Sequence, residues 1–450
     1  MEEKVNIRII KFLNVLVCCL VLSACVTGLD MNSARVAYEK GQYSTTFPYY
    51  KKQADLGNSE AQYMLGQMYA TGQGVTKNTK QAQFYYKKAA ENNYLDAEVA
   101  LATSYVNSNN YDLALPYLER ASARGNAHAT YLLGTMYHKG IEVSQNMERA
   151  LELYQTAAKG NNGAAQHTLS EMYDMGKGSL NVDKAKSRSL MISAANNGSS
   201  EARYIVSNWV LKGQETIIDR KQAVTWMIGA ADDGVMEAER DVAAMYRDGV
   251  NVKKNIGKAF NYYKRASSQG SAEAQHNLGN IYRQNDEIER DLDLAIQWYM
   301  AAANQGYSLA EYDLGSMYYI GLGVEKNFKE AAKWFKRAGL KGHAIAQYFL
   351  GNIYRKGEGV IIDEVAALDW YNRAAEKGVP EAQSNLGFMY SNGQGTDKNY
   401  LLSHMWFSIS VSNDKLDVQE ARQFLETEMT TAEIEQARQM ARNWILAHGK

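Results

Sequence analysis

Cysteine is nearly absent from this 450-residue chain: three occur, Cys18, Cys19 and Cys25, all clustered at the amino terminus. Everything downstream therefore has no disulfide, no thiol nucleophile and no thiolate to hold a metal. An excess of either charge is missing too. With 49 Lys and Arg against 50 Asp and Glu the formal net charge is −1, which removes the basic footprint that a broad grip on nucleic acid needs. The seven histidines, His128, His138, His167, His276, His343, His404 and His448, never fall three or four residues apart, so a local His-x3-His metal site is excluded. No Gly-Lys-Ser or Gly-Lys-Thr follows the Gly-x-Gly pairs that start at Gly72, Gly176, Gly321, Gly357 and Gly393, which excludes a phosphate-binding loop there. No cofactor and no metal are expected. Two short matches stand alone: Ser412 to Lys415 has Ser-x-x-Lys spacing, and the acidic turn Asp286 to Asp293 lacks the bend glycine of a calcium loop.

What the chain does have is a repeat. One alanine of each copy stands at Ala61, Ala97, Ala129, Ala165, Ala202, Ala238, Ala274, Ala310, Ala346 and Ala382, so the steps are 36 residues with single departures of 32 and 37. A fixed period of this size means stacked supersecondary units, each burying its apolar face against the next. The unbroken register from Ala61 to Ala382 predicts one continuous array rather than the three domains that length alone suggests.

The copy at Ala310 shows how a unit is made. Ala310, Leu314, Met317 and Tyr318 fall at 0, +4, +7 and +8, one face of a helix, and Ala331, Trp334, Phe335 and Ala338 repeat the pattern at 0, +3, +4 and +7. Gly321-Leu-Gly323 between them supplies residues free to take positive φ at the end of the first helix. An antiparallel helix pair follows. Tyr occupies +8 in nine copies (Tyr69, Tyr105, Tyr137, Tyr173, Tyr246, Tyr282, Tyr318, Tyr354, Tyr390), with Val210 the exception, and Tyr85, Tyr154, Trp226, Tyr262, Trp298, Trp370 and Trp406 are second-helix aromatics. These rings are read as packing. The second copy lacks the Gly-x-Gly turn at Asn107 to Asn110, and the seventh replaces it with Gln284 to Asp291, so local curvature is expected to change at both.

The motif A-x3-L-G-x-M-Y-x2-G-x-G-V followed by A-x2-W/Y-Y-x2-A-A-x2-G resembles the Sel-one-like repeat (SLR), a relative of the tetratricopeptide repeat (TPR). The resemblance implies an all-α, right-handed α-solenoid (superhelix) of about ten helix pairs over residues 60–412. Residues 34–57, containing Pro48, resemble a degenerate TPR-like amino-terminal cap. Residues 413–450 read as capping helices, the last opened by a Thr430 to Glu433 capping box and covering the stack with Ile434, Ala441, Trp444 and Ile445.

The amino terminus is a different text. Lys4, Arg8 and Lys11 precede an apolar run from Phe12 to Leu22, too short to span a bilayer comfortably and suited to a secretory leader. It ends in Leu22-Ser23-Ala24-Cys25, which resembles a bacterial lipobox. That implies a signal peptide over 1–24, lipidation (palmitate included) at Cys25 and a short tether over 25–33, at most roughly 28 Å from Cys25 to the first helix. Val26 stands where an inner-membrane retention signal has Asp, so the expected site is the periplasmic face of the outer membrane.

Within each first helix the +2, +6 and +9 positions point about 200°, 240° and 180° away from the alanine face. In TPR arrays, which the chain resembles, these offsets line the concave groove and meet partner peptides. In copies six to nine they are Arg240, Ala244 and Arg247; His276, Asn280 and Arg283; Tyr312, Ser316 and Tyr319; Tyr348, Asn352 and Arg355. No carboxylate is among them, so the stripe suits an acidic or extended peptide segment, or an anionic glycan; an ordinary solvated helix face would read the same way. The expectation is a non-enzymatic, lipid-anchored scaffold or adaptor that binds proteins of the cell envelope and no nucleic acid. Its resemblance to exopolysaccharide-secretion scaffold lipoproteins is one of analogy, beside a flagellar-motor or virulence-associated adaptor or a peptidoglycan-acting enzyme.

Overall fold

The computed structural model describes residues 30–284, 287–412 and 418–448. The leader, Cys25, most of the tether, Asp286 and residues 413–415 of the Ser-x-x-Lys match lie outside them. Among the described residues there are 24 helices and no strand, an all-α repeat solenoid. The helices are described in two compact units that meet between residues 223 and 224 in sequence.

In the first unit the helices pair as Met31–Glu39 with Tyr43–Asp55, Ser59–Thr71 with Thr79–Glu91, Leu95–Asn107 with Tyr111–Ala123, Ala127–Lys139 with Met147–Lys159, and Gly163–Met175 with Lys184–Asn196, before Ser200–Leu211. The second unit pairs Met236–Asp248 with Ile256–Ser268, Ala272–Gln284 with Leu292–Asn304, Ser308–Ile320 with Phe328–Leu340, Ala344–Lys356 with Glu364–Glu376, and Pro380–Asn392 with Tyr400–Ser412. Gln419–Glu428 and Thr431–His448 follow, and Arg220–Asp232 straddles the division.

Local chemistry sets the helix ends. Gly321 closes its helix in the left-handed region at φ 77°, and Gly323 takes φ 71° where a Cβ would stand 2.7 Å from Leu292 Cβ at the start of the preceding repeat's second helix. The first glycine of the pair is thus a cap and the second a point of close approach. Where glycine is missing, Asn109 (φ 58°), Glu142 (φ 56°) and Asn251 (φ 65°) take the positive-φ positions; asparagine does so at little cost. The second helix then starts on a capping Asn or Asp. Asn327 accepts from the Glu330 N–H at 3.1 Å and donates its own N–H to the carbonyl of the +8 tyrosine, Tyr318, at 2.9 Å. Asp291 does the same in the seventh copy, accepting from Leu294 N–H and donating to Tyr282 O, so this carboxylate of the acidic turn is occupied as a cap.

The cores lie between copies rather than inside them. One cluster joins Ala295, Tyr299, Ala302 and Ala303 of one second helix to Ala310, Leu314 and Met317 of the following first helix and to Trp334. The next joins Ala331, Phe335 and Ala338 to Ala346, Leu350, Ile353 and Trp370. Each buried Leu, Ile or Met contributes about 1.5–3 kcal/mol, and truncating Leu314 to Ala would cost about 2–5 kcal/mol. Glycine makes the fit within a pair possible: a Cβ on Gly66 would stand 2.5 Å from Tyr86, one on Gly315 2.6 Å from Phe335 and one on Gly134 3.0 Å from Tyr154, each ring on the partner helix of the pair. At the carboxyl end Thr430 and Glu433 form the reciprocal capping box (2.8 and 3.3 Å), Ala441, Trp444 and Ile445 join the last core cluster, and Trp444 meets Trp406 edge-on at 5.8 Å.

Candidate partner-binding face

A polar rung separates the packed seam from the open face. The residue after each marker alanine is buried in most copies, and where it is Gln or Arg its partner is a backbone carbonyl in the last turn of the preceding second helix, whereas Thr130 bonds Asn126 O and Ser122. Gln62 donates to Ala54 O (3.2 Å), Gln166 to Ala158 O (3.0 Å), Gln347 to Gly339 O (2.8 Å) and Gln383 to Ala375 O (3.2 Å), while Arg203 donates to Ala195 O (3.1 Å). Three copies carry Glu instead: Glu98, Glu239 and Glu311 are at most 1% exposed. A carboxylate cannot donate, and in the copies of Glu239 and Glu311 an arginine of the same copy's second helix takes over. Arg337 reaches Ala303 O at 2.7 Å while its Nε donates to Glu311 at 2.9 Å, with Lys341 adding a 2.7 Å pair. Arg265 likewise bonds Ala231 O and Glu239. Sequence reasoning missed this rung; its signal was the alternation of Gln with Glu at one register position.

Beyond the rung lie the positions predicted to bind a partner, all in the second unit. They form two stretches of different chemistry. In the first, the arginines are already paired. Arg240 meets Asp241 at 2.7 Å and Glu273 at 3.5 Å. Arg247 bonds Asp248 at 2.7 Å and reaches across to Asn277 Oδ1 at 2.6 Å, and the Asp248 carboxylate holds its guanidinium pKa above the usual value. Arg283 Nη1 lies 3.0 Å from Asp313 Oδ1, and His276 Nε2 lies 2.7 Å from the other oxygen. Asn280 Oδ1 accepts from the buried Tyr299 hydroxyl at 2.7 Å.

The expected carboxylate-free stripe is therefore corrected by its flank. Asp241 and Asp313 stand at +3, an offset outside the three read from the sequence, and neutralise the arginines beside them. His276 (7% exposed) and Asn352 (7%) are also buried, bonded to Asp313 and to the Tyr371 hydroxyl, so they position neighbours rather than offer surface.

The second stretch is aromatic and half-exposed. Tyr312 stacks on His343 at 4.4 Å. Tyr319 packs edgewise on Phe328 at 5.2 Å and near Phe349 at 5.4 Å, and burial, then Glu358, which its hydroxyl meets at 3.2 Å, raises its pKa. Tyr348 adjoins Phe349 at 5.4 Å and Tyr371 at 6.2 Å. Phe388, at +6 of the tenth copy, is 41% exposed. Arg355 closes the row with its Nε on the Tyr371 hydroxyl at 3.2 Å. A common rule links neighbours: +9 of one copy meets +3 of the next, as Arg247 does with Asn277, Arg283 with Asp313 and Tyr319 with Phe349.

The repeat pattern matches the Sel1 repeat family model at residues 59–94, 104–126, 127–162, 163–199, 200–235, 237–271, 272–307, 308–343, 344–379 and 380–414. The chain belongs to the Sel1 repeat family. Among solved structures it is similar to the SLR-fold protective antigen of uropathogenic Escherichia coli, with a TM-score of 0.58 and 27% identity over 89% of this chain and 95% of that one. Two Schizosaccharomyces pombe proteins are similar in sequence. Chitin synthase regulatory factor 3 is 32% identical over 181 residues, 38% of this chain and 19% of that protein; chitin synthase regulatory factor 4 is 33% identical over 132 residues, 28% and 20%. The chain thus spans about a fifth of these two relatives. The second Sel1 match begins only at residue 104, where the shortened copy keeps its helices at Leu95–Asn107 and Tyr111–Ala123 but not the consensus turn.

Proposed function

We propose that this Sel1 repeat protein is a non-enzymatic adaptor whose first-helix face in residues 236–392 holds an extended segment of a partner protein. One observation carries the reading: Tyr312, Tyr319, Tyr348, Phe349 and Phe388 are only partly buried, whereas Tyr263, Tyr299, Phe335 and Tyr371 of the same unit are fully packed into the seam. A row of half-buried rings, those of the eighth and ninth copies meeting at Phe349, offers rigid contact area at low entropic cost. The regulatory names of the S. pombe relatives accord with this reading. Capture with purified full-length protein tests it. Tyr348→Ser with Phe388→Ser should lose the partners held by the wild type while the helical circular dichroism spectrum is kept; an unchanged set of partners would sink it.

The reading extends to place and pathway. The Leu22 to Cys25 tetrad supports a lipid-anchored protein of the bacterial cell envelope, at the periplasmic face of the outer membrane, with exopolysaccharide secretion as the finer assignment. The description of the E. coli neighbour as a protective antigen accords with such a location. Two or more acyl chains give stable anchoring, so Cys25→Ser should move the protein to the soluble fraction and abolish incorporation of a labelled fatty acid. Labelling that persists would remove Cys25 from the account.

A further inference from the structure

Arg355 differs from the other three arginines of the face. Arg240, Arg247 and Arg283 each have a carboxylate within 3.0 Å. Among the described residues no carboxylate lies within ion-pair distance of Arg355. The +3 position of the following copy, which is Asp313 for Arg283, is here Asn385. Asn385 instead bonds within the neutral cluster, its Nδ2 lying 3.5 Å from Asn352 Oδ1. Asn352 Oδ1 is the acceptor of the Tyr371 hydroxyl at 2.7 Å, and that hydroxyl accepts from Arg355 Nε. Tyr371 is fully buried, and burial pushes its pKa up to about 12, so it stays a neutral, fixed support.

We propose that Arg355 is a carboxylate-anchoring site for the partner segment, a binding site that rests on the adaptor reading of this face. The argument is charge and geometry together. Tyr371 fixes the guanidinium through Nε and leaves both Nη groups as a fork, which suits bidentate bonding to a carboxylate. Apolar seats flank it on the same helical faces: Tyr348 lies two turns before Arg355, and the exposed Phe388 lies one turn beyond Asn385. The ligand is an aspartate or glutamate side chain, or a chain-terminal carboxylate, next to an apolar side chain in an extended peptide.

A peptide array holding free-acid and amidated versions of each sequence, probed with purified full-length protein, tests this. Wild type should select peptides with a carboxylate beside an apolar residue, the amidated set telling side chain from terminus. Arg355→Gln should weaken the selected peptides at least tenfold. Asn385→Asp keeps the arginine but supplies an internal partner as in the Arg283–Asp313 pair, and it should weaken them similarly with thermal unfolding unchanged. Peptides bound without a carboxylate preference, or carboxylate-selected peptides indifferent to both variants, overturn the site while leaving the adaptor reading intact if Tyr348→Ser still abolishes binding. No peptide bound at all overturns both.

Discussion

Gly315 sits against Phe335 so closely that a methyl carbon added to the glycine would stand 2.6 Å from the ring. Helix propensity favours alanine over glycine by about 1 kcal/mol in a helix interior, while overpacking costs about 1–3 kcal/mol. Sterics should win. Gly315→Ala is expected to lower stability by up to about 2 kcal/mol in urea unfolding, although it improves the local helix. The sixth copy has Ala243 at this register position, in the same core cluster as the buried Tyr263, and there Ala243→Gly should destabilise by about 1 kcal/mol. A stabilised Gly315→Ala would show that the glycine is not needed for the fit.

The contrast between those copies shows what the sequence makes legible. Helix pairs, left-handed glycine caps and the Thr430 to Glu433 capping box rest on residues inside a single copy or helix end, and the spacing of Ala310, Leu314 and Met317 marks the apolar face that each copy turns to its neighbour. Polar pairings that cross copies were not legible. Reading +2, +6 and +9 alone passed over Asp313 at +3, because its partners His276 and Arg283 belong to the preceding copy. The same limit hid the Gln and Glu rung, whose acceptor is the previous copy's backbone.

Glu311 is fully buried between Arg337 and Lys341. Removing Glu311 leaves two cations that water already reaches, at 38% and 41% exposure, so Glu311→Ala should cost about 1–3 kcal/mol, chiefly through the lost charge-assisted hydrogen bonds. Converting the copy to the glutamine type is expected to be far milder. With Glu311→Gln and Arg337→Ala together, the new amide takes over Ala303 O as Gln347 takes Gly339 O, and Lys341 retains its Gly306 O bond. A double-mutant cycle in urea should therefore give a coupling energy larger than about 1 kcal/mol. Additive losses would mean that the two rung types are not interchangeable.

The last two helices are held by a buried histidine. His404 is fully buried, with Nε2 2.9 Å from Glu426, which also bonds Arg438 at 2.9 Å; Ser408 Oγ lies 3.3 Å from Nδ1. Neutral imidazole with its hydrogen on Nε2 satisfies both partners. Burial lowers the His404 pKa below the ordinary 6.5, outweighing the opposing pull of Glu426, while Arg422 and Arg438 act in the same direction as burial. The bond from His404 lowers Glu426 below 4.5. Both folded values are depressed, so both contributions are fully present above the unfolded values and are lost as pH falls. Stability should decline first below about pH 6.5 and again below about pH 4.5, with the amide exchange of residues 419–448 rising before that of the repeats. Burial also lowers His128 and His343, so His404→Gln should lessen the first decline without abolishing it and remove the early exchange of residues 419–448; an unchanged profile would assign the decline to those two.

Arg283 and Arg355 occupy the same register position two copies apart, yet substitution should act through different properties. Arg283 shares Asp313 with the buried His276, so Arg283→Glu places two carboxylates together and Asp313→Ala strands a cation and an imidazole. Each is expected to cost about 2–4 kcal/mol and to lose partner binding through the fold. Among the described residues Arg355 bonds only the Tyr371 hydroxyl, so Arg355→Gln should change stability by less than about 0.5 kcal/mol and act on binding alone. Thermal unfolding and affinity measured on the same samples separate the two. If Arg355→Gln unfolds the second unit as readily as Arg283→Glu does, the guanidinium is part of the scaffold and the open end of the row has no cation to offer a partner.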